Sequence, residues 1–192
     1  MAGGSSDAAA VLRALPYLWK LEVERKMVKK IACQLGADVL YCFLGGVQRG
    51  KGIGTDLTDI VSKCKLSFAV LPQPYEITTS KVFKKWDALA DKTTYQINDI
   101  EKALVSCDNK LLHSVLGNAL EPAVIKIQPE LEQGLTNLRS KGFNAQLTGS
   151  GSTIFVVLDD QEDILRLQKK YNGEILQCSL LTSLPDVKCY TK

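Results

Sequence analysis

Ala145-Gln146-Leu147-Thr148-Gly149-Ser150-Gly151-Ser152-Thr153-Ile154-Phe155-Val156-Val157-Leu158 is the stretch that decides the fold of this chain. A short segment enters a glycine- and serine-rich turn and leaves it as a strongly β-forming run, so the reading is strand, turn, strand. Downstream, Gln161 to Tyr171 is predicted to be a helix, with Ile164, Leu167 and Tyr171 on one face, and Ile175 to Ser179 a last strand. Upstream, Pro129 opens a helix over Glu130 to Lys141, acidic early and basic late, with Gly142 as its stop. Ile97 to Val105 and Leu111 to Leu120 read as helical, with Gly117 a weak point. Leu66 to Leu71 reads as a buried strand ending at Pro72, after which Thr78, Thr79 or Ser80 caps a helix through Val82, Phe83 and Trp86. The order strand, helices, strand, strand, helix, strand fits a split βαβ, an α+β ferredoxin-like sandwich, which does not by itself specify a function.

The N-terminal part has a different character. Gly3-Gly4-Ser5-Ser6-Asp7 runs straight into Ala8-Ala9-Ala10. Backbone N–H groups gathered at a helix N-terminus form an anion cradle, with Ser5 or Ser6 as N-cap and Asp7 in the first turn. A flexible terminus has the same composition. The helix is expected over 6–15, ended by Pro16. A second helix follows from Val23, Met27, Ile31 and Leu35, four residues apart, with Gly36 as a left-handed cap. The apolar run after Gly36, closed by Gly45-Gly46, reads as a short buried strand or extended segment with Asp38 at its mouth. Asp38 as a turn or cap residue is the simplest reading of that position alone. Gly50, Gly52 and Gly54 mark a turn between strands.

The totals exclude several classes. With 192 residues, 45% hydrophobic and 23% charged, the chain is an ordinary globular one of one or two domains. A net charge of +3, with lysines in scattered pairs, gives no basic stripe for nucleic acid. No apolar run reaches membrane-spanning length, so a soluble protein is expected. The six cysteines are widely spaced without a C-x-x-C pair, and most of them read as small buried residues in a reducing compartment rather than as zinc ligands. His113 is the only histidine, so chemistry is expected from carboxylate, hydroxyl, lysine and backbone groups.

Four stretches together resemble the GHMP small-molecule kinases: Gly3 to Ala10, Leu35-Gly36-Ala37-Asp38-Val39, Gly117-Asn118-Ala119-Leu120-Glu121 and Leu147 to Thr153. The similarity runs from residue 3 to about residue 180. Within the family it is to the branch serving non-mevalonate isoprenoid biosynthesis. The resemblance implies a partial, ribosomal-protein-S5-like ATP-binding domain over 1–64 and a ferredoxin-like α/β sandwich over 65–192. It implies that Gly3, Gly4, Ser5, Ser6 and Asp7 belong to the end of the ATP phosphate loop. Gly149, Ser150, Gly151 and Ser152 become a loop closing on the nucleotide site, and Asp38 the general base. ATP would be the phosphoryl donor, with Mg2+ on its phosphates, and the substrate a small cytidyl diphosphate alcohol phosphorylated at its 2-hydroxyl. No metal ligand is assigned. The family pattern is departed from at Leu40, Ile53, Thr55 and Thr148.

Two functional readings follow: a cytoplasmic or plastid kinase whose sequence continues upstream, or an inactive truncated remnant or fragment of one. In either case the helices at 6–15 and 22–35 are expected to expose an apolar patch.

Overall fold

The computed structural model describes residues 2–187. They divide into two compact units, one made of residues up to Ser62 with those from Leu181 onward, the other of Lys63–Leu180. The C-terminal segment thus groups with the first unit instead of continuing the second. Two glycines make room for it. Gly45 (φ +67°) lies where any Cβ would overlap the Leu184 side chain, and a Cβ at Gly46 (φ +69°) would come 3.0 Å from the Thr182 carbonyl.

The first unit holds α1 (Gly3–Leu18), α2 (Arg25–Leu35), α3 (Ala37–Leu44) and an antiparallel hairpin of β1 (Gln48–Lys51) and β2 (Asp56–Asp59). Its core is Ala9, Ala32, Val39 and Leu40, with Ala8, Leu12, Phe43 and Leu57 packed against them. Three expectations are corrected here. Pro16 lies inside α1 instead of ending it. It forfeits one N–H in the last turn, where Trp19 N still donates to Leu15 O (2.9 Å) and Leu21 N to Pro16 O (2.9 Å). Gly36 is in extended backbone (φ 166°) rather than a left-handed cap. The run after it is the helix α3, not a strand. Its glycine flanks and eight mostly apolar residues suit a short buried strand and a short buried helix equally well.

The second helix turns by one position from the expected stripe. Val28 and Ala32 are buried, while Met27 (58% exposed) and Leu35 (58%) face outward. With Val11, Leu18 and Trp19 of the α1 region also exposed, the first unit carries the apolar surface the sequence leads one to expect.

The second unit is built on a four-stranded antiparallel sheet of β3 (Ser67–Leu71), β4 (Asn144–Leu147), β5 (Ile154–Leu158) and β6 (Leu176–Ser179), in the order β4-β5-β3-β6. That is the ferredoxin-like order. Its helices are α4 (Thr79–Asp87), α5 (Ile97–Ser106), α6 (Asn109–Val115), α7 (Glu121–Ile127), α8 (Glu130–Ser140) and α9 (Gln161–Lys170). Alternate residues of β3 serve different faces. Ala69 and Leu71 join Val124, Leu131, Leu135, Ile154, Val156 and Leu167 in the main core, while Phe68 packs with Ala103 and Leu112. Helix α7 was not expected as a separate element. Gly117 and Asn118 break the helical region, and Pro122 restarts it at the first turn of α7.

The cysteines also depart from expectation. Cys64 and Cys107 form a disulfide across 43 residues, with Cα atoms 5.1 Å apart, while Cys33 and Cys178 are exposed and Cys42 is half-buried. Wide spacing in sequence concealed a pair that the fold brings together. Chain-entropy reasoning gives such a closed loop about 4 kcal/mol of stability. Cys107→Ser, or reduction, is therefore expected to lower the unfolding free energy by an amount of that order, seen as a lower urea midpoint. Coincident curves with and without reductant would contradict the pairing.

Candidate functional site

The glycines and serines at the N-terminus form the first turn of α1 rather than a loop before it. Ala2, with φ 30°, is the N-cap and provides no side-chain cap. The first intrahelical bond runs from Ser6 N to Ala2 O at 2.9 Å. The N–H groups of Gly3, Gly4 and Ser5 therefore have no acceptor within the helix, and they sit at its positive end. Gly3 and Gly4 are exposed and Ser5 is half-buried, so this end of the helix is open to solvent. The Ser6 hydroxyl donates to Gly3 O at 2.7 Å and so braces the turn. Neither Ser5 nor Ser6 is the cap, and Asp7 lies beyond the first turn.

Asp38 occupies the first turn of α3 and is exposed. Directly behind it, Val39 and Leu40 share the core with Ala8 and Ala9 of α1. The small side chains of α1 thus meet the buried face of α3. Burial, and then the nearby Asp38 carboxylate, pushes the Cys42 thiol above its ordinary range. Asp38 and Cys42 are four residues apart and so lie along one helix face. Leu40, where the family pattern has proline, is 4% exposed and belongs to the core.

The loop Gly149–Ser152 belongs to the second unit, between β4 and β5. It is held by side chains from outside itself. Asn118 Nδ2 donates to the carbonyls of Leu147 (2.9 Å) and Gly149 (2.7 Å). Ser150 Oγ lies 2.9 Å from Thr79 Oγ1, and Ser152 Oγ donates to Tyr75 O at 2.6 Å. Gly149 (φ +50°) and Gly151 (φ +75°) take left-handed backbone that larger residues resist, and Ser152 is 9% exposed. Beside Asn118, Glu121 grips Arg139 in a two-pronged pair (2.7 and 2.8 Å), and Arg139 Nε donates to Ala145 O at 3.0 Å. The Glu121 carboxylate raises the Arg139 guanidinium pKa further, against the opposing effect of burial.

Each sequence-assigned group is thus placed within its own unit: Gly3–Asp7 and Asp38 in the first, Gly149–Ser152 in the second. Asn118 and Glu121 were legible only as members of a motif, and Thr79 only as a candidate helix cap, whereas Thr78 is the N-cap and Thr79 meets Ser150. The signal for the first two was the Asn-x-Leu-Glu spacing itself. For the Thr79 contact there was none, since its partner is 71 residues away. Among the described residues there is no group of three or more His, Cys, Asp or Glu side chains that could hold a metal ion, and no helix is long and apolar enough to cross a membrane.

Residues 1–46 match the family described as GHMP kinases N terminal domain, and residues 100–174 the one described as GHMP kinases C terminal. The chain is 34% identical over 163 residues to the 4-diphosphocytidyl-2-C-methyl-D-erythritol kinase of Corynebacterium efficiens, which covers 84% of this chain and 51% of that protein. It is 32% identical over 180 residues to the same-named kinase of Lachnospira eligens, covering 92% and 62% respectively. A solved 4-(cytidine 5'-diphospho)-2C-methyl-D-erythritol kinase superposes with a TM-score of 0.75 at 26% identity, covering 93% of this chain and 65% of that one. The chain therefore spans about half to three-fifths of the length of these curated relatives.

The placement of Asp38 over Cys42 has a chemical readout. Asp38→Asn removes one of the two causes that raise the Cys42 thiol. Its titration midpoint is expected to fall, and its alkylation rate at fixed pH to rise about two- to threefold, as for an exposed charge pair on one helix. Peptide-resolved mass spectrometry separates Cys42 from Cys33 and Cys178. An unchanged rate would contradict the shared face.

Proposed function

The chain belongs to the GHMP kinase family, and on that premise we propose that it transfers the γ-phosphate of ATP to the 2-hydroxyl of 4-diphosphocytidyl-2-C-methyl-D-erythritol, with Asp38 as general base. The observation that carries this reading is the pairing, in one packed unit, of an open helix N-terminus at Gly3–Ser5 with a carboxylate on the first turn of the adjoining α3. Phosphoryl transfer asks a protein mainly to position the phosphates, neutralise charge and orient the attacking hydroxyl. The N–H groups of Gly3, Gly4 and Ser5 meet the first demand. Asp38, exposed and acceptor-only when ionised, meets the last by taking the hydroxyl proton as the oxygen attacks. In the second unit, taken by itself, Gly149–Ser152 is on the same resemblance a nucleotide-phosphate loop.

A magnesium ion, when bound, supplies charge neutralisation on the phosphates. Such an ion takes most of its ligands from phosphate and water and only one or two carboxylates from protein. The absence of a clustered ligand set among the described residues is compatible with that donor chemistry, and Asp7, one turn behind Gly3, is a carboxylate this chain offers.

The test is ATP-dependent phosphorylation of the cytidyl substrate by the full chain and by Asp38→Asn. The wild type is expected to turn over, and the variant to lose at least about a hundredfold in kcat with ATP affinity nearly unchanged. Equal rates for the two proteins would remove Asp38 from the mechanism. No phosphoryl transfer by the wild type would refute the kinase reading for this chain.

A further inference from the structure

The glycine loop between β4 and β5 is shaped by a side chain that the proposed chemistry does not use. Asn118 lies in the break between α6 and α7, at a point where Gly117 is required by packing, because any Cβ there would overlap the Tyr95 ring. Its carboxamide is fully directed. The Oδ1 accepts from Leu120 N (2.9 Å), and the Nδ2 donates to both Leu147 O (2.9 Å) and Gly149 O (2.7 Å). The oxygen's bond to a backbone N–H fixes which end of the amide is the donor. The support beneath it is rigid. Leu120 packs on the main core, and Glu121 is clamped by Arg139, which in turn holds the Ala145 carbonyl of β4.

The consequence lies in the peptide planes. A trans peptide places its N–H opposite its C=O. Pinning Gly149 O toward Asn118 therefore sends the N–H of the same peptide, that of Ser150, to the opposite side. The neighbouring N–H groups have acceptors inside the loop: Thr148 N donates to Thr153 O (2.9 Å) and Gly151 N to Thr148 O (2.8 Å). Thr79 and Tyr75 hold the Ser150 and Ser152 hydroxyls, so the side chains of the loop are fixed as well.

We propose that Asn118 is a positioning residue for the glycine loop, orienting the Ser150 N–H as a donor to an anionic group, which is nucleotide phosphate on the kinase reading above. The inference rests on that reading only for the identity of the anion. The orientation of the loop by Asn118 is a property of the chain itself. Asn118 touches neither nucleotide nor substrate in this account; it acts through the backbone of residues 147–150. Glu121 and Arg139 act one step further back, holding the strand from which the loop departs.

The experiment compares the full chain with Asn118→Asp and Leu135→Ala by residue-resolved amide exchange and by ATP·Mg titration. The carboxylate introduced by Asn118→Asp would keep one oxygen as the acceptor for Leu120 N but turn the other toward two carbonyl oxygens. Leu135→Ala weakens the buried core without touching the loop. Loss of two hydrogen bonds of ordinary strength predicts about a tenfold or greater rise in exchange at 148–152 in Asn118→Asp, with β3 and β5 still protected. ATP affinity is expected to fall by about tenfold as well. In Leu135→Ala, exchange should rise throughout the second unit while ATP affinity at a temperature where it is folded stays within about twofold. Unchanged loop exchange in Asn118→Asp overturns the proposal, as does a rise no greater than that in the rest of the unit. Loosening of the loop in a chain whose wild type binds no ATP overturns the kinase reading and upholds the orienting role of Asn118. Should Asn118→Asp be insoluble, Asn118→Ser, which cannot span both carbonyls, serves in the same comparison.

Discussion

The second unit depends on β3 being paired on both sides. Its five residues run antiparallel to β5 from Ser67↔Leu158 to Leu71↔Ile154, and to β6 from Ser67↔Ser179 to Val70↔Leu176. A strand shared in this way commits its two faces to different layers. Ala69 and Leu71 face the core under α7, α8 and α9, while Phe68 meets the layer of α5 and α6 and stacks edge-on against Phe155 at 6.1 Å. A slip of one residue would exchange the two faces along its whole length, so the register is strongly set. The glycine loop inherits its position from this register. It begins where Leu147 pairs with Ile154 and is closed by Thr148 and Thr153.

The first unit rests on a smaller constraint, the meeting of alanines with a short apolar helix. Ala8 and Ala9 are small enough to let α1 share a core with Val39 and Leu40, and this leaves Asp38 one residue outside that core. The same segment that supplies the open N–H groups therefore supplies, one turn on, the surface that seats the carboxylate-bearing helix.

Much of this was legible in the sequence, and the reasons are local. Helix α9 announced itself through the spacing of Ile164 and Leu167, and α8 through Pro129 and the left-handed Gly142; the Asp160 cap of α9, whose carboxylate accepts from Glu162 N and Asp163 N, came only with the structure. Strands β3, β5 and β6 were visible as β-forming runs with clear ends. The misreadings came where local signals are degenerate. Ala37–Leu44 lacks the polar positions that would reveal a helical period, so its glycine flanks suggested a strand. The stripe Met27, Ile31, Leu35 has helical spacing, but which stripe of an amphipathic helix turns inward is decided by its neighbours, and here Val28 and Ala32 won. Asp38 and the glycine-serine stretches were legible as motifs. The contacts of Thr79 and Arg139, the hold of Asn118 on the loop beyond its motif, and the pairing of Cys64 with Cys107 are long-range consequences of the fold.

The central claim is that the first turn of α1 receives the phosphates of a nucleotide. The most direct measurement is an amide-resolved NMR titration of the full chain with ATP·Mg and, separately, with AMP. The account predicts saturable shifts of the Gly3, Gly4 and Ser5 N–H resonances with ATP that AMP, lacking the terminal phosphates, does not reproduce. ATP shifts that leave those amides unmoved, or that appear only around the exposed lysine pairs, would contradict it.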